Sequence, residues 1–199
     1  MQSRHPNFIV GVGGSAGGLN AYKALLDALP SNTGMALVII SHLIPTANSQ
    51  LALILSRHTK MKVTVVSSGM PIRANHVYVI PPNADLLIEG FAFKLVTPRT
   101  KRNAQVDIFL TSLAAAMGAR AIGIILSGYD GDGADGCRQI KATGGITFAQ
   151  DASAEVDGMP LSAKESGSVD FVLPPSKMAD QLRRLASTFK SGRSDGASR

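Results

Sequence analysis

The sequence predicts one doubly wound α/β domain: a mostly parallel sheet, helices on both faces and an antiparallel hairpin at one edge. Three observations carry this expectation. Strand-like and helix-like segments alternate along most of the 199 residues. The main strand segments are apolar throughout, as strands covered on both faces by crossover helices are. Polar residues of catalytic type follow directly on three of these strands, where open parallel sheets place their ligand sites.

Phe8 to Val12 reads as the first strand, ending in a glycine cluster. Gly18 to Leu29 follows as a helix with Leu19, Tyr22, Leu25, Leu26 and Leu29 on one face. Met35 to Ser41 is a second strand, and a polar helix is expected near Ser49 to His58. Lys62 to Val66 and Val77 to Ile80 read as short strands. Leu86 to Ile88 and Phe91 to Val96 flank Glu89-Gly90, a two-residue hairpin turn. Val106 to Met117 is helical, with Leu110, Leu113, Ala114 and Met117 at helix spacing. Ala121 to Leu126 (strand), Ala134 to Ala142 (helix) and Ile146 to Ala149 (strand) continue the alternation. A short helix near Leu161 to Glu165, a strand from Val169 to Leu173 and a helix from Ser176 to about Ser187 complete it. The expected organisation is an extension at 1–6, a catalytic domain at 7–188 and a disordered basic tail at 189–199.

Hydrophobic residues make up 45% and charged residues 17%, which places the chain among globular proteins with a sizeable core. The longest apolar runs, such as Met35 to Ile40, are far too short to enter and cross a bilayer. Cys137 is the single cysteine, so no intrachain disulfide forms. With no apolar leader at the start, these features favour the cytoplasm. The net charge of +6 is concentrated in Arg99-Thr100-Lys101-Arg102, Arg183-Arg184 and the last ten residues. Aromatics are only 5% and no recognition-helix motif is present, so the excess reads as solvated charge or a face for an acidic protein rather than a nucleic-acid site.

Ser15 is the most informative residue. Gly13-x-Ser15-x-Gly17 sits between a strand and a helix, the spacing that holds a serine hydroxyl out at the top of a sheet. His42 follows the second strand, and Asp130 and Asp132 follow the strand ending at Leu126. If the first two strands are neighbours, their axes lie about 4.8 Å apart and the two side chains can meet. A serine hydroxyl needs a base, histidine titrates nearest neutrality, and a buried carboxylate fixes the imidazole tautomer. Amides beside Ser15, at a helix start, can stabilise an oxyanion, each donor being worth about 3–4 kcal/mol of barrier.

Each residue also has a bland reading. Ser15 could be a helix N-cap, His42 a satisfied strand-end histidine and Asp132 a turn residue. His5, His58 and His76 are weaker candidates, being near the terminus, in a polar patch and in a turn. Gly11-x-Gly13-x-x-Ala16 matches a permissive dinucleotide fingerprint, but Ser41 and His42 occupy the place of the ribose-binding acid. The loop from Asp130 hints at calcium, yet Lys141 stands where a bidentate glutamate is required.

The sequence resembles the catalytic domain of the chemotaxis protein-glutamate methylesterases, the CheB family. The matching pieces are Gly13 to Gly18, Ser41-His42-Leu43, His76 to Pro82, Val106-Asp107, Ile125 to Gly128 through Asp132-Gly133, Ala149-Gln150-Asp151 and Gly158-Met159-Pro160. Its wording is most similar to methylesterase domains fused to a receptor methyltransferase. The resemblance implies hydrolysis of γ-glutamyl methyl esters on the cytoplasmic helices of methyl-accepting chemoreceptors, and in some relatives deamidation of receptor glutamines. It implies Ser15 as nucleophile, His42 as base, Asp132 as orienting acid and the amides near Ala16 and Tyr129 as oxyanion donors. No metal or organic cofactor is expected. A receptor methyltransferase domain, in the same or a neighbouring chain, is an expected partner; nucleic acid and membrane insertion are not expected. Members commonly carry an N-terminal receiver domain, whereas this sequence begins directly with the first strand, as a piece of a larger fusion or a stand-alone form regulated differently. Asp130 stands where relatives often have glycine, and Asn103-Ala104-Gln105 replaces a proline-containing stretch. These departures keep open a catalytically degenerate domain that docks a signalling partner.

Overall fold

The structure, a computed structural model, describes residues 5–42 and 50–194, with side chains as far as 189. The strands are β1 (Ile9–Gly14), β2 (Ala36–Ser41), β3 (Lys62–Val65), β4 (His76–Val79), β5 (Asp85–Glu89), β6 (Ala92–Val96), β7 (Ala121–Ile125), β8 (Ile146–Gln150) and β9 (Phe171–Leu173). The helices are α1 (Gly18–Ala28), α2 (Leu51–Leu55), α3 (Gln105–Met117), α4 (Ala134–Ala142), α5 (Gly158–Glu165) and α6 (Pro175–Ser194). Seven strands form one parallel sheet in the order β3-β4-β2-β1-β7-β8-β9. The chain runs outward from β1 through β2 to β3 at the edge, comes back with β4 between β3 and β2, then crosses to the other side of β1 with β7. The carboxyl end of β1 is therefore the point where the winding reverses.

The apolar strands serve two cores at once. Along β2, Ala36, Val38 and Ile40 face a core shared with Phe109, Leu110 and Leu113 of α3. Leu37 and Ile39 face the other core, with Leu25 and Leu26 of α1 and Leu182 of α6. Period-two alternation with apolar residues at both phases is what a strand buried on both faces requires.

The hairpin β5–β6 forms its own two-stranded antiparallel sheet and joins no strand of the large one. It lies beside the sheet rather than in it as an edge strand, because α3 holds it. Ile88 N donates to Ser112 Oγ at 2.8 Å, and Gln105 Nε2 donates to the buried Asp85 at 3.0 Å. Its turn is Gly90-Phe91, one residue later than the sequence suggested, with Gly90 at φ 62°.

Three other expectations shift. Leu19 is 37% exposed, and the buried face of α1 is Gly18, Ala21, Tyr22, Leu25 and Leu26. The helix expected from Ser49 shortens to Leu51–Leu55, and Ser49 lies outside the described residues. The last helix continues to Ser194, past the expected start of the tail, and Phe189 within it packs edge-on against Phe8 at 5.4 Å. Residues 1–4, 43–49 and 195–199 lie outside the described residues. Among the described residues, no helix is long and apolar enough to cross a membrane.

The glycines of β1 are contact surfaces for α3. A Cβ on Gly11 would sit 2.5 Å from Leu110 Cδ2, and one on Gly13 would fall on the Val106 side chain. The match to a dinucleotide fingerprint is thus a match of helix–strand packing. Gly13→Ala is expected to destabilise the fold by about 1–3 kcal/mol through overpacking, read as a lower urea midpoint.

Candidate active site

Gly14 of β1 sits opposite Ser41 of β2, and Ser15 and His42 are the next residues of the two chains. On the other side, Leu126 N donates to Gly13 O at 2.8 Å, and Ser15 N donates to Ser127 O at 2.8 Å. Three strand ends thus bring Ser15, His42 and the 127–133 loop to the reversal point, as the sequence predicted.

Ser15 is not a helix cap. Gly17, at φ 72°, occupies the N-cap position of α1, and no side chain caps that helix. Gly18 N closes the turn onto Ser15 O at 3.0 Å. Only glycine fits at 17: besides its left-handed backbone, a Cβ there would lie 2.6 Å from Ser127 Oγ. Gly128 faces the same constraint, with a Cβ 3.2 Å from that of Ser15 and colliding with Met159. Among the described residues, Ser15 Oγ makes no hydrogen bond, and the amides of Ala16 and Tyr129 donate to no group. The Tyr129 side chain is 76% exposed at the rim.

His42 Nε2 lies 2.6 Å from Asp132 Oδ2, a distance at which the carboxylate accepts the ring N–H. The His42 side chain is 7% exposed and that of Asp132 fully buried. A buried carboxylate must be hydrogen-bonded to remain charged. Asp132 meets that demand at the amino end of α3, where Val106 N donates to Oδ2 at 3.0 Å and Asp107 N to Oδ1 at 2.8 Å. The helix dipole adds to this attraction. With Nε2 committed to Asp132, Nδ1 holds the free lone pair. Asp130 Oδ2 stands 3.7 Å from Nδ1.

Asp107 answers in kind. Its Oδ1 accepts from Gly133 N at 2.9 Å and Gly136 N at 2.7 Å, satisfying the first turn of α4. Burial, and then the neighbouring Asp132 carboxylate, hold the Asp107 carboxyl above its ordinary range against the pull of those two amides. Tyr22 lies under the site, its hydroxyl donating to Ile40 O at 3.4 Å, and burial pushes that phenol up.

Sequence reasoning did not single out Asp107, Ser127 or Gln150 for their roles. Ser127 N donates to Gln150 Oε1 at 3.0 Å, and its hydroxyl donates to Ala16 O at 2.7 Å while accepting from Val156 N at 2.9 Å. The one available signal was position, since Ser127 follows an apolar strand as Ser15 does. The remaining histidines lie elsewhere. His58 pairs with Asp27 at 3.0 Å, His5 packs on Phe91, and His76 opens β4, on the strand rather than in a turn, and stacks on Tyr78. Burial holds the Cys137 thiol up at about 12, so it is no nucleophile. No group of metal-ligating side chains occurs among the described residues.

A doubly wound sheet with a serine, an imidazole and a buried carboxylate at its reversal point is an arrangement of the serine-hydrolase class. Comparison with known proteins places the chain more narrowly. It belongs to the CheB methylesterase family, whose model matches residues 10–182. A putative protein-glutamate methylesterase/protein-glutamine glutaminase of Leptospira interrogans is 35% identical over 87% of this chain and 92% of its own length. The protein-glutamate methylesterase/protein-glutamine glutaminase of Hydrogenovibrio crunogenus is 31% identical over 92% of this chain, which spans 50% of that protein. The CheB methylesterase catalytic domain of Thermotoga maritima superposes with a TM-score of 0.82 at 28% identity, over 89% of this chain and 98% of that one.

Asp107 gives a pH test. Because its folded-state pKa is raised, its contribution is favourable below the ordinary value of 3.8 and is lost as pH rises through the folded value. Asp107→Asn keeps an acceptor for both glycine amides and removes the like charge beside Asp132. It is expected to flatten the fall in stability as pH rises above about 4, whereas Asp107→Ala is expected to lose about 1–2 kcal/mol at every pH for the missing cap. Denaturant midpoints across pH 3.5–7 check both.

Proposed function

We propose that this chain hydrolyses γ-glutamyl methyl esters on the cytoplasmic helices of chemoreceptor proteins, with Ser15 as nucleophile, His42 as base and Asp132 as orienting acid. The observation that carries this reading is the 2.6 Å contact between His42 and a fully buried Asp132, on the chain segment directly beside Ser15. His42 Nδ1 takes the Ser15 proton as Oγ attacks the ester carbonyl. The amides of Ala16 and Tyr129 receive the oxyanion, free of any other acceptor among the described residues. The tetrahedral species collapses, the imidazolium gives its proton to the departing methoxide, and methanol leaves an acyl ester on Ser15. Water, deprotonated by His42, then attacks that ester and releases the glutamate carboxylate and the serine. Each step is an acid–base or acyl transfer that these side chains supply themselves.

The same sequence with ammonia as leaving group deamidates glutamine, the second activity in the names of the relatives. A receptor methyltransferase, attached or neighbouring, would supply the methylated substrate, and the cytoplasm is the compartment in which both act. Among the described residues, no feature favours the docking-only alternative.

Ser15→Ala is expected to abolish methanol release from methylated receptor while the fold persists, and Asp132→Asn to lower the rate by about 10⁴-fold through the wrong imidazole tautomer. Methanol release, with circular dichroism as the folding control, decides; a fully active Ser15→Ala protein overturns the assignment.

A further inference from the structure

We propose that Asp130 is a positioning residue: a second carboxylate that, with Asp132, clasps the protonated ring of His42 and so restrains the base at acidic pH. The inference rests on the reading of His42 as the base. Its ground is the placement of the two acids on opposite nitrogens of one ring. Asp132 Oδ2 takes Nε2 at 2.6 Å and Asp130 Oδ2 stands 3.7 Å from Nδ1, the nitrogen left to accept the serine proton. Asp130 does not hang freely in solvent. Its Oδ1 accepts from Asp132 N at 3.2 Å, which aims the side chain back across the ring, and only 31% of it is exposed.

An opposite charge within about 4–6 Å favours the charged form of its neighbour. A neutral ring with its lone pair toward Asp130 gains nothing from that carboxylate, whereas a protonated ring is held from both sides. Other ionisable groups around His42 do not duplicate this. Asp107 of α3 lies behind Asp132 and spends its carboxylate on Gly133 and Gly136. Tyr22 of α1 is a phenol held neutral by burial. Glu155 lies by Gly17, bonded to Asn20 at 2.6 Å. Lys101 and Arg102, before α3, form no ion pair with Asp130 or Asp132 among the described residues. The segment 43–49 carries no ionisable side chain in its sequence. Asp130 is therefore the group that sets the extra hold on the protonated ring.

The test is an NMR titration of histidine-¹⁵N-labelled protein, in which the four imidazoles are followed one by one and His42 is assigned with His42→Gln. D130N keeps an acceptor for Asp132 N and removes the charge; D130G removes both. The His42 midpoint is expected about one pH unit lower in D130N than in the parent, the low end of the range for a close opposite charge because Asp130 is partly exposed. The acid limb of kcat/KM for methanol release is expected to move with it, giving up to about tenfold more activity on the acidic side. An unmoved His42 midpoint overturns the proposal whatever the esterase assay shows. So does loss of the native spectrum in both variants, which would make Asp130 structural. Failure of the hydrolase reading is seen separately, in methanol release by the parent protein and by Ser15→Ala.

Discussion

The site rests on an exchange of caps between two helices. Asp132, just ahead of α4, accepts the first amides of α3, and Asp107, in the first turn of α3, accepts the first amides of α4. Helix starts leave backbone donors without partners, and a buried carboxylate needs donors. Here each problem solves the other, and the result fixes two helices and one acid together. The arrangement requires the helices to come close. Glycine supplies the room: a Cβ at Gly136 would press on Leu110 at 2.6 Å, and one at Gly133 would strike Ile125. The cost is two carboxylates side by side, visible in the raised Asp107. What it secures is an acid whose direction toward His42 is set by backbone rather than by a mobile side chain.

Local pattern made much of this legible. The apolar runs at β1, β2, β7 and β8 announced strands buried on both faces, and the polar residues just past them marked the active edge. Ser15 and His42 could be named because each follows a strand directly, and parallel topology collects such residues at one edge; the loop after β7 offered both Asp130 and Asp132, and only the family resemblance chose Asp132. The illegible parts depend on contacts between distant segments. Nothing around Gly11 and Gly13 shows that α3, about a hundred residues on, will press on them, so the same glycines imitate a phosphate loop. Nothing near Asp107 says that its partners are glycines of the next helix. The separate placement of the hairpin follows from Asp85, Thr100, Gln105 and Ser112, four residues whose pairing no periodicity encodes. The ring nitrogen that faces the acid was also beyond reach, because it depends on the rotamer that Asp132 selects.

Ser127 shows how the Ser15 turn is held to the rest. A hydroxyl has one proton to give, and the shorter contact assigns it to Ala16 O, leaving the lone pairs for Val156 N. Its carbonyl receives Ser15 N and its amide reaches Gln150. One fully buried residue therefore ties the Ser15 turn, the end of β7, the end of β8 and the 150s loop into a single hydrogen-bonded unit.

That knot bears on the amides of Ala16 and Tyr129, the oxyanion donors of the proposed reaction. Preorganised donors stabilise developing charge because they need no reorientation during reaction. The Ala16 carbonyl is bound by Ser127, and Gly17 behind it is confined by its left-handed backbone and by Glu155 and Ser127. On the other side, Gly128 N donates to Val156 O and Gly128 O accepts from Met159 N, which pins the peptide leading into Tyr129 to the start of α5. Both amides thus belong to segments with no freedom to turn away, although neither has an acceptor of its own among the described residues. The same hydrogen bonds therefore hold the peptides on both sides of the Ser15 turn in place.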